Sequence, residues 1–220
     1  MEREYHSLQI IIGSMYSGKT EELLRRIRRY IVADEKTQLF NHVIDKTRYG
    51  PNKVGSHAGN AMDSFMAENV DHMYTQLKDD TRVVGINEGQ FFGEEIIDFC
   101  KYLVNDGRLV IVSALNQDFR GEDFPLGKTK TIGNVIALAD EVTHLTAICT
   151  YMNGTGRPCS KSATRTQRLV NGNPADYNDA IVIVGAKELY EARCPSHHFV
   201  PGKPKNAYDR FKKFDSCIFE

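Results

Sequence analysis

Gly13-Ser14-Met15-Tyr16-Ser17-Gly18-Lys19-Thr20 reads G-x-x-x-x-G-K-T and decides the fold of this 220-residue chain. In front of it stands Leu8-Gln9-Ile10-Ile11-Ile12, an apolar run of strand length, rich in β-branched residues. Behind it, Leu23, Leu24, Ile27 and Ile31 recur at helical spacing, with acids opening the segment and bases following, as a helix dipole favours. A strand, a glycine-flanked turn and a helix amino terminus together aim several backbone N–H groups at one anion. In a loop of this kind Lys19 reaches the β- and γ-phosphates of a nucleotide, and the Thr20 hydroxyl goes to a magnesium ion.

Working outward, strand-like and helix-like segments alternate. Leu39 to Ile44 reads as a strand and Phe65 to Leu77 as a stretch of mixed helical character. Arg82 to Ile86 is a short buried strand that ends at Asn87-Glu88. Glu94 to Asn105 is an amphipathic helix closed by Gly107, Leu109 to Leu115 the clearest strand, and Ile132 to Ala139 a further helix. This rhythm predicts an α/β fold of the P-loop NTPase type, a parallel sheet with helices on both faces. Ligands of such sheets bind at the carboxyl ends of the strands, where the phosphate loop, Glu88 and Leu115 all fall. The strand of the loop and the strand of Glu88 are expected to be near neighbours. That places Glu88 beside the γ-phosphate as the base for an attacking hydroxyl. Phe119-Arg120-Gly121-Glu122-Asp123-Phe124-Pro125-Leu126-Gly127 reads as a lid over a substrate, or as a surface loop pinned by its two aromatics.

Beyond Leu145 the character changes. Gly154, Gly156, Pro158, Gly172, Asn173 and Pro174 punctuate short strand-like pieces, Arg165 to Val170 and Ile181 to Val184, and only a weak helical pattern follows at Ala207 to Phe214. The expected division is an ATP-binding domain over 1–145, a small β-rich subdomain over 146–202 and a tail over 203–220. A subdomain of that size needs a staple. Cys149, Cys159, Cys194 and His197 offer zinc-type ligands, with Cys194-Pro195-Ser196-His197 spaced for one tight turn and nine residues between the first two cysteines. His198 is an alternative to His197. Cys100 reads as inert core and Cys217 as a tail residue without a role. An odd count of five cysteines argues against a disulfide framework.

The net charge of −1 points to no general nucleic-acid or anionic-membrane partner. Arg25, Arg26, Arg28 and Arg29 read as a solvated helix face. The first residues carry no apolar signal core and no run reaches bilayer length, so the chain is expected to be soluble and cytoplasmic.

These residues resemble a known family. The 13–20 loop is similar to the G-x-M-x-x-G-K-[ST] loop of thymidine kinases of the human cytosolic and bacterial type, and Glu88-Gly89-Gln90-Phe91-Phe92 resembles their D-E-[GA]-Q-F-F motif. Leu115, Phe119 and Phe124 resemble their lid. Leu145 to Cys149 resembles the entry to their zinc subdomain, and Gly185, Tyr190 and Cys194 its exit. The resemblance implies transfer of the γ-phosphoryl of ATP to the 5′-hydroxyl of thymidine, with deoxyuridine as a second substrate, in nucleotide salvage for DNA synthesis. It implies magnesium, a structural zinc and a homotetramer. It makes Glu88 the general base and gives the triphosphate to Gly13, Ser14, Met15, Tyr16, Ser17, Gly18, Lys19 and Thr20, with Asn87 and Gln90 alongside. Arg48 falls near the reacting oxygen. Phe91, Leu115, Phe119 and Phe124, with Met15 below, enclose the base. Ile181, Val182, Ile183, Val184 and Gly185 read the thymine edge through their backbone, with Tyr190 beside them.

The chain also departs from the family. Asn87 stands where an aspartate precedes the glutamate, Asn116 where a second acid follows the lid leucine, and Asp123 where proline precedes phenylalanine. Asp45-Lys46-Thr47-Arg48-Tyr49 carries one extra residue relative to D-x-R-Y, which puts Asp45 out of step with the metal. The second zinc cysteine, expected at Met152, returns as Cys159 if Tyr151 to Pro158 is an insertion, and His197 replaces the last. A slowed kinase with a raised magnesium requirement is the expectation. The alternatives are a nucleotide-binding pseudokinase acting by interaction, motivated by Asn87 and Asn116, and a nucleic-acid-binding ribbon using Lys161, Arg165 and Arg168.

Overall fold

The computed structural model describes residues 4–45, 52–55, 59–154, 156–182 and 190–204. In chain order the elements of the larger unit are β1 (Ser7–Gly13), α1 (Lys19–Val32), β2 (Thr37–His42), β3 (Lys53–Gly55), β4 (Ala61–Asp63), β5 (Phe65–Ala67), α2 (Val70–Gln76) and β6 (Val83–Asn87). A short 3-10 turn follows at Gly89–Phe91, then α3 (Glu95–Asn105), β7 (Leu109–Ala114), α4 (Ile132–Leu138) and β8 (Glu141–Leu145). Six strands form one sheet in the order β5-β2-β6-β7-β1-β8, every neighbouring pair parallel. The expected α/β fold is present.

The central strands are apolar on both sides because both faces are covered. Ile11, Val83, Leu109 and Ile111 pack against Leu23, Leu24 and Ile27 of α1. Ile10, Ile12, Val84, Ile86, Val110 and Val112 face Ile96, Cys100 and Leu103 of α3 and Val135 of α4. Cys100 is fully buried among them, and burial pushes its thiol up to about 12, as inert core requires.

Several expectations are corrected here. Phe65 to Leu77 is two elements, because the Asn69 side chain accepts a hydrogen bond from the His72 N–H at 2.8 Å and starts a new helix after β5. β1 and β6 lie one strand apart, with β7 between them. Arg26 is no solvated residue. It is buried, pairs with Glu22 at 2.8 Å and Glu141 at 2.9 Å, and bonds Gln9 and Thr143 at 2.8 and 2.7 Å. One guanidinium thereby ties α1 to β1 and to the edge strand β8.

The smaller unit comprises β9 (Ala147–Ile148), β10 (Ser162–Ala163), β11 (Arg165–Val170), β12 (Asn173–Pro174) and β13 (Tyr190–Arg193), with a 3-10 turn at Pro195–His197. β9 pairs with β10, and β11 pairs with both β12 and β13, all antiparallel. Ile181 and Val182 are not in a strand; the remainder of the expected Ile181–Val184 strand, the helical pattern at 207–214 and Cys217 lie outside the described residues. No described helix is long and apolar enough to cross a membrane.

α1 sits close on the sheet where β6 carries Gly85. A Cβ there would come within 2.8 Å of Leu39 Cδ1 and 2.9 Å of Ile27 Cδ1. Gly85→Val is expected to lower stability by about 1–3 kcal/mol through overpacking, read as a reduced urea midpoint at unchanged slope.

Candidate active site and metal centre

The phosphate loop leaves β1 through Gly13, at φ 153°, where a Cβ would stand 2.3 Å from the Leu145 carbonyl oxygen and 2.6 Å from Ser17 Oγ. Only glycine fits that approach. Tyr16 takes a left-handed backbone, φ 66°, and its hydroxyl donates to the Tyr190 carbonyl at 3.2 Å. Gly18 caps α1, so Lys19 and Thr20 begin the helix. Lys19 is buried and its Nζ donates to the Ser14 carbonyl at 2.8 Å. Burial pulls its pKa down to about 8, opposed by the charge of Glu88. Ser17 Oγ is buried with no hydrogen-bond partner among the described residues. An orphaned hydroxyl beside a buried ammonium and a helix amino terminus fits a phosphate group.

Glu88 follows β6 in a left-handed conformation, φ 54°, which is strained for this residue type. Its Oε2 accepts from Gln90 Nε2 at 2.6 Å, and Gln90 Oε1 accepts from the Leu115 N–H at 3.0 Å. Gln90 therefore tethers the carboxylate to the end of β7. The intervening strand does not separate Glu88 from Lys19, whose charges interact across the strand ends.

Beside them lies a buried polar chain. Asn87 Oδ1 accepts from Thr20 Oγ1 at 3.2 Å and Ser113 Oγ at 2.8 Å, while Asn87 Nδ2 donates to Asn41 Oδ1 at 2.9 Å. Asp45 Oδ2 accepts from Asn41 at 3.2 Å and lies 3.5 Å from Asn87 Nδ2. Despite the extra residue in its loop, Asp45 reaches this network. An aspartate at 87 would set two carboxylates side by side, whereas Asn87 donates to the one that is there. Asn116 Oδ1 is buried with no hydrogen-bond partner among the described residues.

Phe91, Leu115, Phe124 and Ile181 share one apolar cluster at these strand ends, with the Phe91 and Phe124 rings edge-to-face at 5.9 Å. Phe119 lies apart from them, with Ala175 and Val200 and beneath the Arg168 guanidinium. Val182 is exposed. Arg48, Ile183, Val184 and Gly185 fall outside the described residues. The lid segment is clasped to the smaller unit: Tyr177 donates to Glu122 at 3.0 Å, His198 Nε2 meets the Phe119 carbonyl at 2.8 Å, and Lys203 reaches the Arg120 carbonyl.

Cys149, Cys159, Cys194 and His197 converge, their ligand atoms all within 4.8 Å of one another. His197 Nδ1 is 3.7 Å from Cys149 Sγ and 3.5 Å from Cys194 Sγ, and Cys159 Sγ is 3.9 Å from Cys194 Sγ. A tetrahedral zinc ion with ordinary bond lengths separates two sulfurs by about 3.8 Å and a sulfur and nitrogen by about 3.6 Å. The donor set fits zinc. Burial pushes the Cys149 thiol up, but the Cys194 and Tyr151 amides and His197 outweigh it and the net direction is down, toward the ligating thiolate. His198 is excluded from the cluster by its bond to Phe119. Met152 and Pro158 pair antiparallel and Cys159 N donates to the Tyr151 carbonyl at 2.8 Å, which brings Cys159 back to Cys149.

Sequence reasoning missed Thr166, whose Oγ1 accepts from the Met15 N–H at 3.0 Å, and the buried Asp118, which gathers the Arg120 and Glu122 amides at 2.8 and 3.2 Å. The D-x-R-G-E spacing at 118–122 was the available signal for the second; nothing local marks the first. Compared with known families, residues 6–198 match the family model described as thymidine kinase.

Because burial holds Lys19 near 8, the empty loop loses its ammonium as pH rises through that value. Affinity for a nucleoside triphosphate is expected to be level below about pH 8 and to fall about tenfold per unit above it, since binding must first recapture a proton. Titration with a fluorescent nucleotide between neutral and alkaline pH measures this, and Lys19→Met should give a weak, flat profile.

Proposed function

The chain belongs to the thymidine kinase family, and on that premise we propose that it transfers the γ-phosphoryl of ATP to the 5′-hydroxyl of thymidine with Glu88 as base. The single observation that carries the mechanism is the juxtaposition of buried Lys19 with Glu88 at the strand ends. Lys19 and the loop amides hold the triphosphate and take up charge that develops on the transferred group. Glu88, held by Gln90 at 2.6 Å, accepts the proton of the attacking hydroxyl. Phe91, Leu115 and Phe124 supply an apolar wall for the pyrimidine, and Ile181 joins it from the smaller unit. Phe119 and Tyr190 act at one remove, through the clasped lid and the bond to Tyr16.

Magnesium, when bound, neutralises phosphate charge and orients the γ-phosphoryl. Thr20 Oγ1, Asn87 Oδ1 and the Asp45 carboxylate are hard oxygen donors of the kind such an ion or its waters require. Zinc held by Cys149, Cys159, Cys194 and His197 is structural on this reading, since all four protein positions around it are filled. The same reading carries deoxyuridine as a second substrate, a salvage role for DNA synthesis and a homotetrameric, cytoplasmic enzyme, each supported by the family resemblance. A pocket that admits a 5-methyl group discriminates weakly against its absence.

Glu88→Gln is expected to lower kcat by about 10²–10⁴-fold while ATP affinity stays within a few-fold. Unchanged turnover in that variant removes Glu88 from the mechanism. Asp45→Asn is expected to raise the magnesium concentration needed for half-maximal activity, and to weaken binding of manganese to the ATP complex measured by electron paramagnetic resonance. An unchanged manganese affinity takes Asp45 out of the metal's surroundings.

A further inference from the structure

Strands of the unit that holds the metal ligands also hold the phosphate loop. Ser14 Oγ donates to the Ala163 carbonyl at 3.0 Å, the Met15 N–H to Thr166 Oγ1 at 3.0 Å, and the Tyr16 hydroxyl to the Tyr190 carbonyl at 3.2 Å. Three consecutive loop residues are thus bonded to β10, β11 and β13. Two of those strands adjoin a ligand-bearing turn, and the third pairs with one of them. β10 follows Cys159, β13 runs directly into Cys194, and Thr166 of β11 pairs with Ala192 of β13.

The apolar interior around the ligands is Ala147, Cys149, Ala163, Ala192 and Cys194, with Cys159 against it, while Ala175 and Val200 pack separately with Phe119. Alanines and thiols bury too little surface to keep the two-residue strands β9 and β10 in register or to fix the Cys194 end of the four-residue β13, and the thiols are the metal's own ligands. The register of the three anchors therefore depends on the ion. The loop in turn depends on the anchors, since Tyr16 is held in a left-handed backbone that its sequence does not favour.

We propose that the metal at Cys149, Cys159, Cys194 and His197 sets the affinity of the phosphate loop for ATP, with Thr166 as the positioning residue that carries the coupling. The inference rests on residues 13–20 being the ATP site. Coupling between two sites is reciprocal, so ATP must tighten the metal by the same factor.

The test uses the full chain, with a fluorescent ATP analogue and zinc as probes and no thymidine present. Removing zinc with a chelator is expected to weaken binding of the analogue about tenfold, and restoring zinc to recover it. Competition against a chromogenic chelator is expected to show zinc held about tenfold tighter when ATP is saturating. Equal affinities in the paired states overturn the proposal. Thr166→Val keeps every zinc ligand and covers the case where stripping unfolds the subdomain. With full zinc content confirmed by metal analysis, it should bind ATP more weakly, and its zinc affinity should no longer respond to ATP. A Thr166→Val protein with lower thermal stability but intact ATP–zinc coupling assigns Thr166 a purely structural role and contradicts the proposal. Thymidylate formation enters neither readout, so a wrong phosphoacceptor leaves this test standing.

Discussion

Burial of the Lys19 ammonium at the start of α1 is the constraint to which the rest of the site answers. A cation out of water costs free energy unless its surroundings repay it. Here the Ser14 carbonyl at 2.8 Å and the charge of Glu88 repay only part, because Lys19 still sits near 8. The remaining deficit is what an incoming phosphate relieves. Two residues held in left-handed backbone, Tyr16 and Glu88, belong to the same arrangement: each costs roughly 1–3 kcal/mol and persists because its neighbours fix it. Tyr16 is fixed by Tyr190, and Glu88 by Gln90 and through it Leu115.

The smaller unit solves a different problem. Around the metal ligands its apolar interior is only alanines and thiols, so metal binding would add much of the free energy that orders that part, and structural zinc supplies about 10–16 kcal/mol in small domains. Tyr151 stacks on the His197 ring at 4.2 Å, with Arg193 over the other partner at 5.5 Å, which holds the imidazole with Nδ1 toward the thiols. Tyr151 thus supports the one histidine of the donor set. At the strand ends one carboxylate, that of Asp45, is drawn into the polar chain by Asn41 and Asn87.

Much of this was legible in the sequence because it is local. The 13–20 loop, the apolar runs of β1 and β7, the periodicity of α1 and α3, and the Cys194–His197 turn each declare themselves within a dozen residues. What was not legible depends on contacts distant in the chain. Arg26 reads as one of four basic residues on a helix, and only Glu141 and Thr143 on the edge strand make it a buried tie. Thr166 lies about 150 residues from the amide it receives, within a strand whose pattern gives no hint of it. The order of the sheet, with β7 between the two functional strands, is likewise invisible to periodicity, since every central strand is apolar on both faces. The place of Asp45 is also set by distant contacts, since Asn41 and Asn87 draw its carboxylate into the polar chain that starts at Thr20.

The account's central claim is that one phosphoryl group passes directly from ATP to the 5′-oxygen of thymidine in the Lys19–Glu88 site. Phosphorus NMR of the purified protein with ATP, magnesium and thymidine follows that group without any coupled reaction. The account predicts a growing monophosphate-ester resonance at the position of thymidylate, equal in amount to the ADP formed. ADP accompanied by inorganic phosphate and no ester, or no consumption of ATP that remains bound, would contradict it.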